Sequence, residues 1–208
     1  MKIEFYKVTW YSKLLAVVLF VSTFFVGFVI GERKINIYYL PIKLEMTQYK
    51  TYTDIALHMS VTYPENFIID NTYKYQMLGP GKDIEGIKFA IPKSISDGTN
   101  LSNDSYISIE NIKQSKNCTA DLFLDQAKAS SLIDGNMTYS YASSTGAAAG
   151  NRYEEKIYAI PGTNSCIAVR YFIHYGVLEN YPEGTIKQFN EKALLDQFDQ
   201  IRHTLTFN

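Results

Sequence analysis

The most distinctive feature of the hydropathy pattern is an apolar run near the N-terminus. Residues 14–31, LLAVVLFVSTFFVGFVIG, carry no charge, and the run ends at Lys13 on one side and Glu32 on the other. At a rise of about 1.5 Å per residue, a helix of this length nearly crosses a bilayer core of about 30 Å. The pattern therefore predicts one N-terminal transmembrane helix over residues 14–31.

Two other interpretations of the run stay open, a cleaved signal peptide and a buried core helix. A signal peptide has a shorter apolar stretch and a small-residue cleavage site, and no such site follows Gly31. A core helix would show a polar stripe, and only Ser22 and Thr23 interrupt this run. We therefore expect an uncleaved membrane anchor.

The expected orientation places the N-terminus in the cytoplasm. Lysine and arginine are nearly balanced on the two sides of the run, so the positive-inside rule does not decide the orientation. A short head before a long exported domain is the usual arrangement of a signal anchor. This arrangement predicts an inner-membrane protein whose C-terminal domain lies in the periplasm or outside the cell. The expected parts are a cytoplasmic head (1–13), the anchor (14–31), a tether (32–50) and an extracytoplasmic domain (51–208).

Beyond the tether, the pattern alternates with a period of two over several short segments, which is typical of half-buried strands. Turn residues such as Gly79-Pro80-Gly81 and Pro161-Gly162 separate these segments. The period changes to that of a helix at 119–129 and again at 190–202. The predicted strands are 55–61, 67–70, 73–78, 86–92, 105–112, 137–142, 153–160 and 165–175, and residues 143–150 read as a small-residue linker. These elements predict an α+β domain with an antiparallel sheet flanked by helices.

Charge narrows the class of partner. The chain has 208 residues and a net charge of −1, and its first 34 residues carry five basic and two acidic side chains. That difference of +3 leaves −4 for the remainder. An acidic domain does not suit nucleic acid, which calls for a concentrated basic face. The 17 tyrosines favour a β-rich domain with half-buried rings, and tyrosine is also common on binding surfaces.

Two cysteines, Cys118 and Cys166, are the candidates for one disulfide in an exported domain. A C-x-x-C redox motif is absent from the sequence, so thiol–disulfide catalysis is not expected. The three histidines are scattered, and none stands at ligand spacing to a cysteine. We therefore expect neither a metal site nor a cofactor.

The densest group of polar residues lies in the predicted hairpin 150–175. A three-residue loop would place Glu154 opposite Arg170, whereas a two-residue loop would pair Glu155 with Arg170. In the first register, Arg152, Glu154, Arg170 and His174 share one face of the hairpin. This group is either an ordinary cross-strand ion pair or a binding patch. In the second case, Arg170 would grip an anionic ligand beside His174, with Tyr153, Tyr171 or Tyr175 as aromatic walls.

Signals for catalysis are weak. The sequence contains no G-x-S-x-G nucleophile motif, P-loop or dinucleotide-binding motif. Glu154 and Glu155 are adjacent, so on a strand they point to opposite faces and cannot act as a carboxylate pair. We therefore do not expect an enzyme. The alternative is a hydrolase-like envelope enzyme whose site is built from distant strands around Arg170 and His174.

Several segments resemble known groups of proteins. VTYPENF (61–67), GIKFAIP (86–92) and ALLDQFDQIRHTLTF (193–207) are similar to bacterial exported domains of the PsbP/Mog1-like type. That resemblance implies an antiparallel sheet flanked by helices. GTNLSNDSYISIE, NCTADLFL, GNRYEE and YAIPGTNSCIAVRYFIHY, within residues 98–175, resemble uncharacterised proteobacterial envelope proteins. The second resemblance implies no activity.

Together these observations predict a single-pass envelope protein whose exported domain binds a protein partner or a small ligand. A deep pocket that joins Arg170, His174 and a carboxylate would favour a ligand or a substrate. A flat, tyrosine-rich surface would favour a protein partner. The sequence leaves the oligomeric state open.

Overall fold

The computed structural model describes residues 10–32, 48–113, 117–162 and 165–207. The chain divides into two units, residues 1–45 and residues 46–208. Parts of the expected cytoplasmic head, most of the expected tether and the last two residues of the Pro161–Asn164 turn lie outside the described residues.

The described residues of the first unit form the helix α1 (Trp10–Glu32), which has 23 residues. Apolar side chains along it are exposed, including Phe20 at 76% and Phe24 at 68%. Within the described part of the chain, we find no helix that is both long enough and apolar enough to cross a membrane. The transmembrane helix predicted over residues 14–31 is therefore not supported by the described residues.

The described residues of the second unit form a β-rich fold with two α-helices. Its described strands are β1 (Tyr49–Asp54), β2 (Met59–Pro64), β3 (Ile68–Asp70), β4 (Lys74–Tyr75), β5 (Ile84–Ala90), β6 (Tyr106–Ile112), β7 (Ser130–Asp134), β8 (Met137–Ala148), β9 (Asn151–Ile160), β10 (Cys166–Gly176) and β11 (Thr206–Phe207). The helices are α2 (Lys93–Ser96) and α3 (Glu191–His203), and 3-10 turns occupy Ala120–Leu122 and Leu178–Asn180.

These strands form two antiparallel sheets. The smaller sheet has the order β1-β2-β11, and the larger has the order β3-β5-β6-β10-β9-β8-β7, with β4 paired to β5. Each strand pairing in the described residues is antiparallel. The predicted α+β class with an antiparallel sheet is therefore confirmed.

The main core lies where α3 and the smaller sheet cover one face of the larger sheet. Asn190 begins α3 by accepting a hydrogen bond from the Ala193 amide at 3.0 Å, which satisfies a free N–H of the first turn. The buried residues Leu194, Phe198 and Ile201 recur at helical spacing and pack in this core. The helix predicted at 190–202 is confirmed with a shift of about one residue.

A second, smaller core lies on the opposite face of the larger sheet. Phe123 and Tyr75 pack there against buried β9 and β10 residues, including Ile157. The predicted disulfide lies in the same cluster, with an S–S distance of 2.18 Å between Cys118 and Cys166 and a sequence separation of 48. The bond ties the segment before the first 3-10 turn to the start of β10.

The β9–β10 register differs from both predicted registers. Ile160 pairs with Ile167, so six residues connect the paired positions, and Arg170 lies opposite Ile157. Neither Glu154 nor Glu155 is directly opposite Arg170, because Glu154 faces Ile173 and Glu155 faces Phe172. The Pro161-Gly162 turn motif had suggested a loop of only two or three residues between the strands. Both predicted registers were wrong for that reason.

The helix predicted at 119–129 is wrong, because only Ala120–Leu122 forms a 3-10 turn. Two features end the helix early. The carbonyl of Phe123 accepts a hydrogen bond from Arg170 instead of from a later amide, and Gln126 has a φ of 55°, outside the helical region.

Two further boundaries differ from the prediction. The alternating segment 55–61 contains a turn followed by the start of β2. The turn forms where β1 ends, because the Asp54 carboxylate accepts a hydrogen bond from the Leu57 amide at 3.0 Å. The expected small-residue linker 143–150 is mostly strand, since β8 continues to Ala148 in pairing with β9.

Candidate functional site

Arg170 is at the centre of a buried charge network on the second face of the larger sheet. Its side chain is 0% exposed, and so is that of Glu110 on the neighbouring strand β6. Arg170 Nε donates to Glu110 Oε1 at 2.7 Å, and Nη2 donates to Oε2 at 2.9 Å. This two-bonded geometry is the strong form of an arginine–carboxylate pair.

The remaining groups of Arg170 are also bonded. Its Nη1 donates to Glu155, which is 15% exposed, and its Nη2 donates to the Phe123 carbonyl at 2.6 Å. The ring of Tyr75 lies 3.4 Å from the guanidinium carbon, which is close cation–π geometry. Tyr75 also donates to Glu155 at 3.0 Å. The guanidinium is thus enclosed by protein on every bonded side.

Glu110 accepts further hydrogen bonds from neighbouring hydroxyl groups. Ser108 Oγ donates to Glu110 Oε1 at 2.9 Å, and Tyr73 donates to the same oxygen at 3.2 Å. Burial raises the pKa of the Tyr73 hydroxyl, and the charge of Glu110 raises it further. Burial alone would lower the pKa of Arg170, but the charge of Glu110 and its hydrogen bond raise it above the usual value. The charge of Glu110 thus favours the charged form of the buried guanidinium.

This geometry changes the interpretation of the candidate patch. Arg170 is fully buried and saturated with partners, so it does not offer a free guanidinium to an anionic ligand. Arg152 and Glu154 are on the other face of the sheet, because they pair with Tyr175 and Ile173. Glu154 accepts a hydrogen bond from Tyr175 at 2.8 Å. Burial is the larger cause and the hydrogen bond to Glu154 the second, and together they raise the pKa of Tyr175 to about 12.

Tyr171 belongs to a separate charge cluster that the sequence did not suggest. Its hydroxyl donates to Asp199 at 2.8 Å and accepts from Arg202 Nε at 2.8 Å. Arg202 is 3% exposed, contacts Asp134 through Nη2, and lies 4.2 Å from the Tyr158 ring centroid. This cluster joins α3 to β7 and β10, so the role of Tyr171 in the structure is to support the core.

His174 lies on the same face as Arg170 but in different surroundings. Its Nδ1 is 2.8 Å from the Asp104 carboxylate, and its ring stacks on Tyr153 with centroids 4.5 Å apart. His174 also lines a cleft of about 310 Å³ together with polar residues that include Lys93 and Asn151. Arg170 does not line that cleft. The structure therefore does not bring Arg170 and His174 together in one pocket.

The structure brings together a row of aromatic rings on the face of the larger sheet that also carries the smaller core. We name as the aromatic row the side chains of Tyr73, Tyr106, Phe172, Tyr153 and His174. Tyr73 meets Tyr106 at 5.5 Å, Tyr106 stacks on Phe172 at 4.9 Å, and Phe172 meets Tyr153 at 6.2 Å between centroids. Strand pairing sets this order, because Tyr106 faces Phe172 and Tyr153 faces His174 across the ladders.

The aromatic row is only partly covered, and charged side chains of both signs lie along it. All of its members except Tyr106 are half-buried. Lys88 lies over the rings of Tyr73 and Tyr106 at 5.4 and 5.7 Å. Asp70, 3.5 Å from Lys88, and Asp104 bring carboxylates to the two ends of the row. Thr72 holds the pKa of Asp70 below its usual value through side-chain and backbone hydrogen bonds.

The aromatic row thus joins mostly half-buried rings to carboxylates at its two ends. Among the described residues, no group of three or more His, Cys, Asp or Glu side chains is placed to hold a metal ion. Sequence reasoning named Arg170, His174 and Tyr153 but missed Glu110. The signal for Glu110 was that it is the one charged residue in the strand YISIENI.

Comparisons with known proteins find structures but no families. No family model and no curated protein match the sequence. A protein from Bacteroides thetaiotaomicron is 15% identical in sequence, with a TM-score of 0.40. The match covers 76% of this chain but only 48% of that protein, so this chain spans about half of its length. The cyanobacterial PsbP protein CyanoP from Synechocystis is 12% identical with a TM-score of 0.42, covering 80% of this chain and 96% of that one.

A third structure is the Ran-binding protein Mog1p from Saccharomyces cerevisiae, 8% identical with a TM-score of 0.47, covering 77% of this chain and 96% of that one. Structures similar to this chain thus include a PsbP protein and Mog1p, the two names in the sequence resemblance. At TM-scores of 0.40 to 0.47 these similarities carry no argument about activity or partners.

Proposed function

We propose that the second unit is a binding domain, without catalytic activity of its own, that takes a protein partner on the aromatic row. The observation that carries the proposal is the continuous chain of ring contacts from Tyr73 to His174 across strands β6, β10 and β9. Tyrosine and phenylalanine are enriched at protein interfaces because they bury a large area with few rotatable bonds.

The partner that best fits this surface presents a cationic segment. Ring faces attract cations, as the position of Lys88 over Tyr73 and Tyr106 illustrates. Asp104 is 58% exposed at the His174 end of the row, where it can meet an arginine or lysine of a partner. Residues 35–208 together carry −4, which favours approach of a basic surface.

The buried charge network around Arg170 supports the proposal because it contacts the strands that carry the aromatic row. Glu155 of that network is partly exposed and lies directly opposite Phe172 of the row. Because Arg170 and Tyr75 hold Glu155 in place, the surface around Phe172 is fixed before any partner arrives. A preformed surface loses less side-chain freedom on binding, which improves affinity.

We also propose that the N-terminal segment attaches this domain to a membrane and that the domain lies on the outer side. The support is the uncharged run of residues 14–31. Alkaline extraction of membranes from cells that express the full chain tests this part. The chain should stay with the membrane pellet, and recovery of an intact or trimmed chain in the alkaline supernatant would contradict membrane attachment.

The binding proposal is tested by site-specific photocrosslinking in the native cells. A photoreactive phenylalanine analogue replaces Tyr153 in the aromatic row or, as the matched control, Ile133 on β7, which is 75% exposed. Position 153 should give one discrete crosslinked protein that position 133 does not give. Adding Asp104→Asn should weaken that crosslink. The same bands from both positions, or none from position 153, would contradict the proposal.

A further inference from the structure

One strand edge of the larger sheet is open over an unusually long stretch. β8 has 12 residues, whereas its outer neighbour β7 has five and pairs only with Met137–Tyr141. The rest of β8, residues Ala142–Ala148, is paired to β9 on the inner side. Among the described residues, none pairs with the outer side of this stretch, and Ser143 and Thr145–Ala148 are exposed.

The open stretch lacks the features that normally protect an edge. Its sequence, ASSTGAA, has no charge, no proline and no large side chain. Natural proteins usually block an exposed edge with lysine, proline or a bulge, because an open row of N–H and C=O groups pairs readily with another strand. The edge strand β1 of the smaller sheet, by contrast, carries Lys50 and Asp54.

We propose that a second copy of this chain occupies the edge, so that two β8 strands pair antiparallel and the two sheets become one. A register centred on Thr145 puts Ala142 of one copy opposite Ala148 of the other and Ser144 opposite Gly146. The stretch therefore pairs with itself along its whole length. Closed two-fold pairing of one surface with itself is the commonest form of oligomer.

Charge favours a second copy over a different protein at this edge. Two copies carry the same net charge, so they approach closely only where the contacting surface is uncharged, and residues 142–148 are uncharged. A basic partner gains no attraction from such an edge. Small side chains also keep the two backbones free to reach the usual strand spacing of about 4.8 Å.

The pairing has a consequence for the aromatic row. In β8, Gly146 lies directly opposite Tyr153 of β9, so the row ends at the open edge. A two-fold axis perpendicular to the joined sheet places the same face of both copies on one side. The two aromatic rows then share one face, and the dimer presents a doubled ring surface. The dimer does not depend on the proposed function, since its contacts are backbone groups of β8.

Engineered cysteines in the full chain test this dimer directly. Both native cysteines are bonded to each other, so a new cysteine is the free thiol among the described residues. Thr145→Cys is at the centre of the proposed contact. Thr138→Cys is the matched control, because Thr138 is exposed on the same strand but faces β7 in the ladder.

With the chain in mild detergent, oxidation should convert most of the Thr145→Cys chain to a disulfide-linked dimer and leave the Thr138→Cys chain without an intermolecular disulfide. Thr145→Lys should reduce the mass measured by light scattering from dimer to monomer without changing the circular dichroism spectrum. Equal crosslinking at both positions, a monomeric wild-type chain, or a dimer that survives Thr145→Lys would overturn the proposal.

Discussion

Arg170 and Glu110 form a two-bonded ion pair inside the larger sheet, with both side chains at 0% exposure. The pair bridges β10 and β6 on the face that carries the aromatic row. A buried ion pair of this kind adds little net stability over an apolar replacement, but loss of one partner leaves an unpaired charge in the interior. The pair therefore fixes the strands beneath the row rather than contacting a ligand.

The first prediction concerns this pair. Glu110→Gln should lower the free energy of unfolding by about 3–5 kcal/mol, because the buried guanidinium loses its charged partner. Glu85→Gln is the control, since the pair of Glu85 with Lys113 is exposed and should contribute about 0–1 kcal/mol. Urea unfolding of the full chain in mild detergent measures both. Equal effects of the two substitutions would contradict the assignment of Arg170 to a structural role.

The second prediction concerns acid stability. Hydrogen bonds from Arg202 and His203 hold the pKa of Asp134 below its ordinary value of 3.8. A carboxyl whose pKa is lower in the folded state adds stability above its ordinary pKa and loses that contribution as the pH falls through the folded value. Asp134→Asn should thus have a lower free energy of unfolding than the wild type at pH 6. This difference between the two proteins should disappear as the pH falls below about 4.

Unfolding curves collected from pH 3 to pH 7 check this sign. A gap between wild type and Asp134→Asn that stays constant, or widens towards low pH, would mean that Asp134 is not held by Arg202 and His203 in solution.

The third prediction concerns the disulfide. Removal of the bond between Cys118 and Cys166 by paired alanine substitution should lower the free energy of unfolding by about 4 kcal/mol on loop-entropy grounds. Peptide mapping without reductant should recover the two cysteines in one linked pair. Two freely alkylated thiols in the purified chain would contradict both the bond and an oxidising location of the domain.

Much of the fold was predictable because local patterns agree with the tertiary structure. The strand 105–112 alternates strictly and became β6, and helix α3 has a capping Asn190 and regular apolar spacing. The cysteine pair was identified by count alone. These elements need no information from distant parts of the chain, which is why sequence reasoning found them.

The candidate site was harder to predict because distant residues set its register and contacts. Pro161-Gly162 indicated a tight hairpin, yet the ladder closes only at Ile160 and Ile167. Relative to the register with a three-residue loop, this shift of three moved Glu154 to the other face and brought Glu155 next to Arg170. Segment 119–129 has helical spacing, but the Phe123 carbonyl is bonded to Arg170 on a distant strand. No local pattern reports such a contact.

Whether the aromatic row binds a protein partner can be measured through the affinity of that partner. With the partner identified by crosslinking, Tyr153→Ala and Phe172→Ala should each raise Kd at least about tenfold, as loss of an interface anchor of about 1.4 kcal/mol or more implies. Ile133→Ala, on exposed β7, should leave Kd unchanged. Wild-type affinity in both ring variants, with their folded structure intact, would contradict the account.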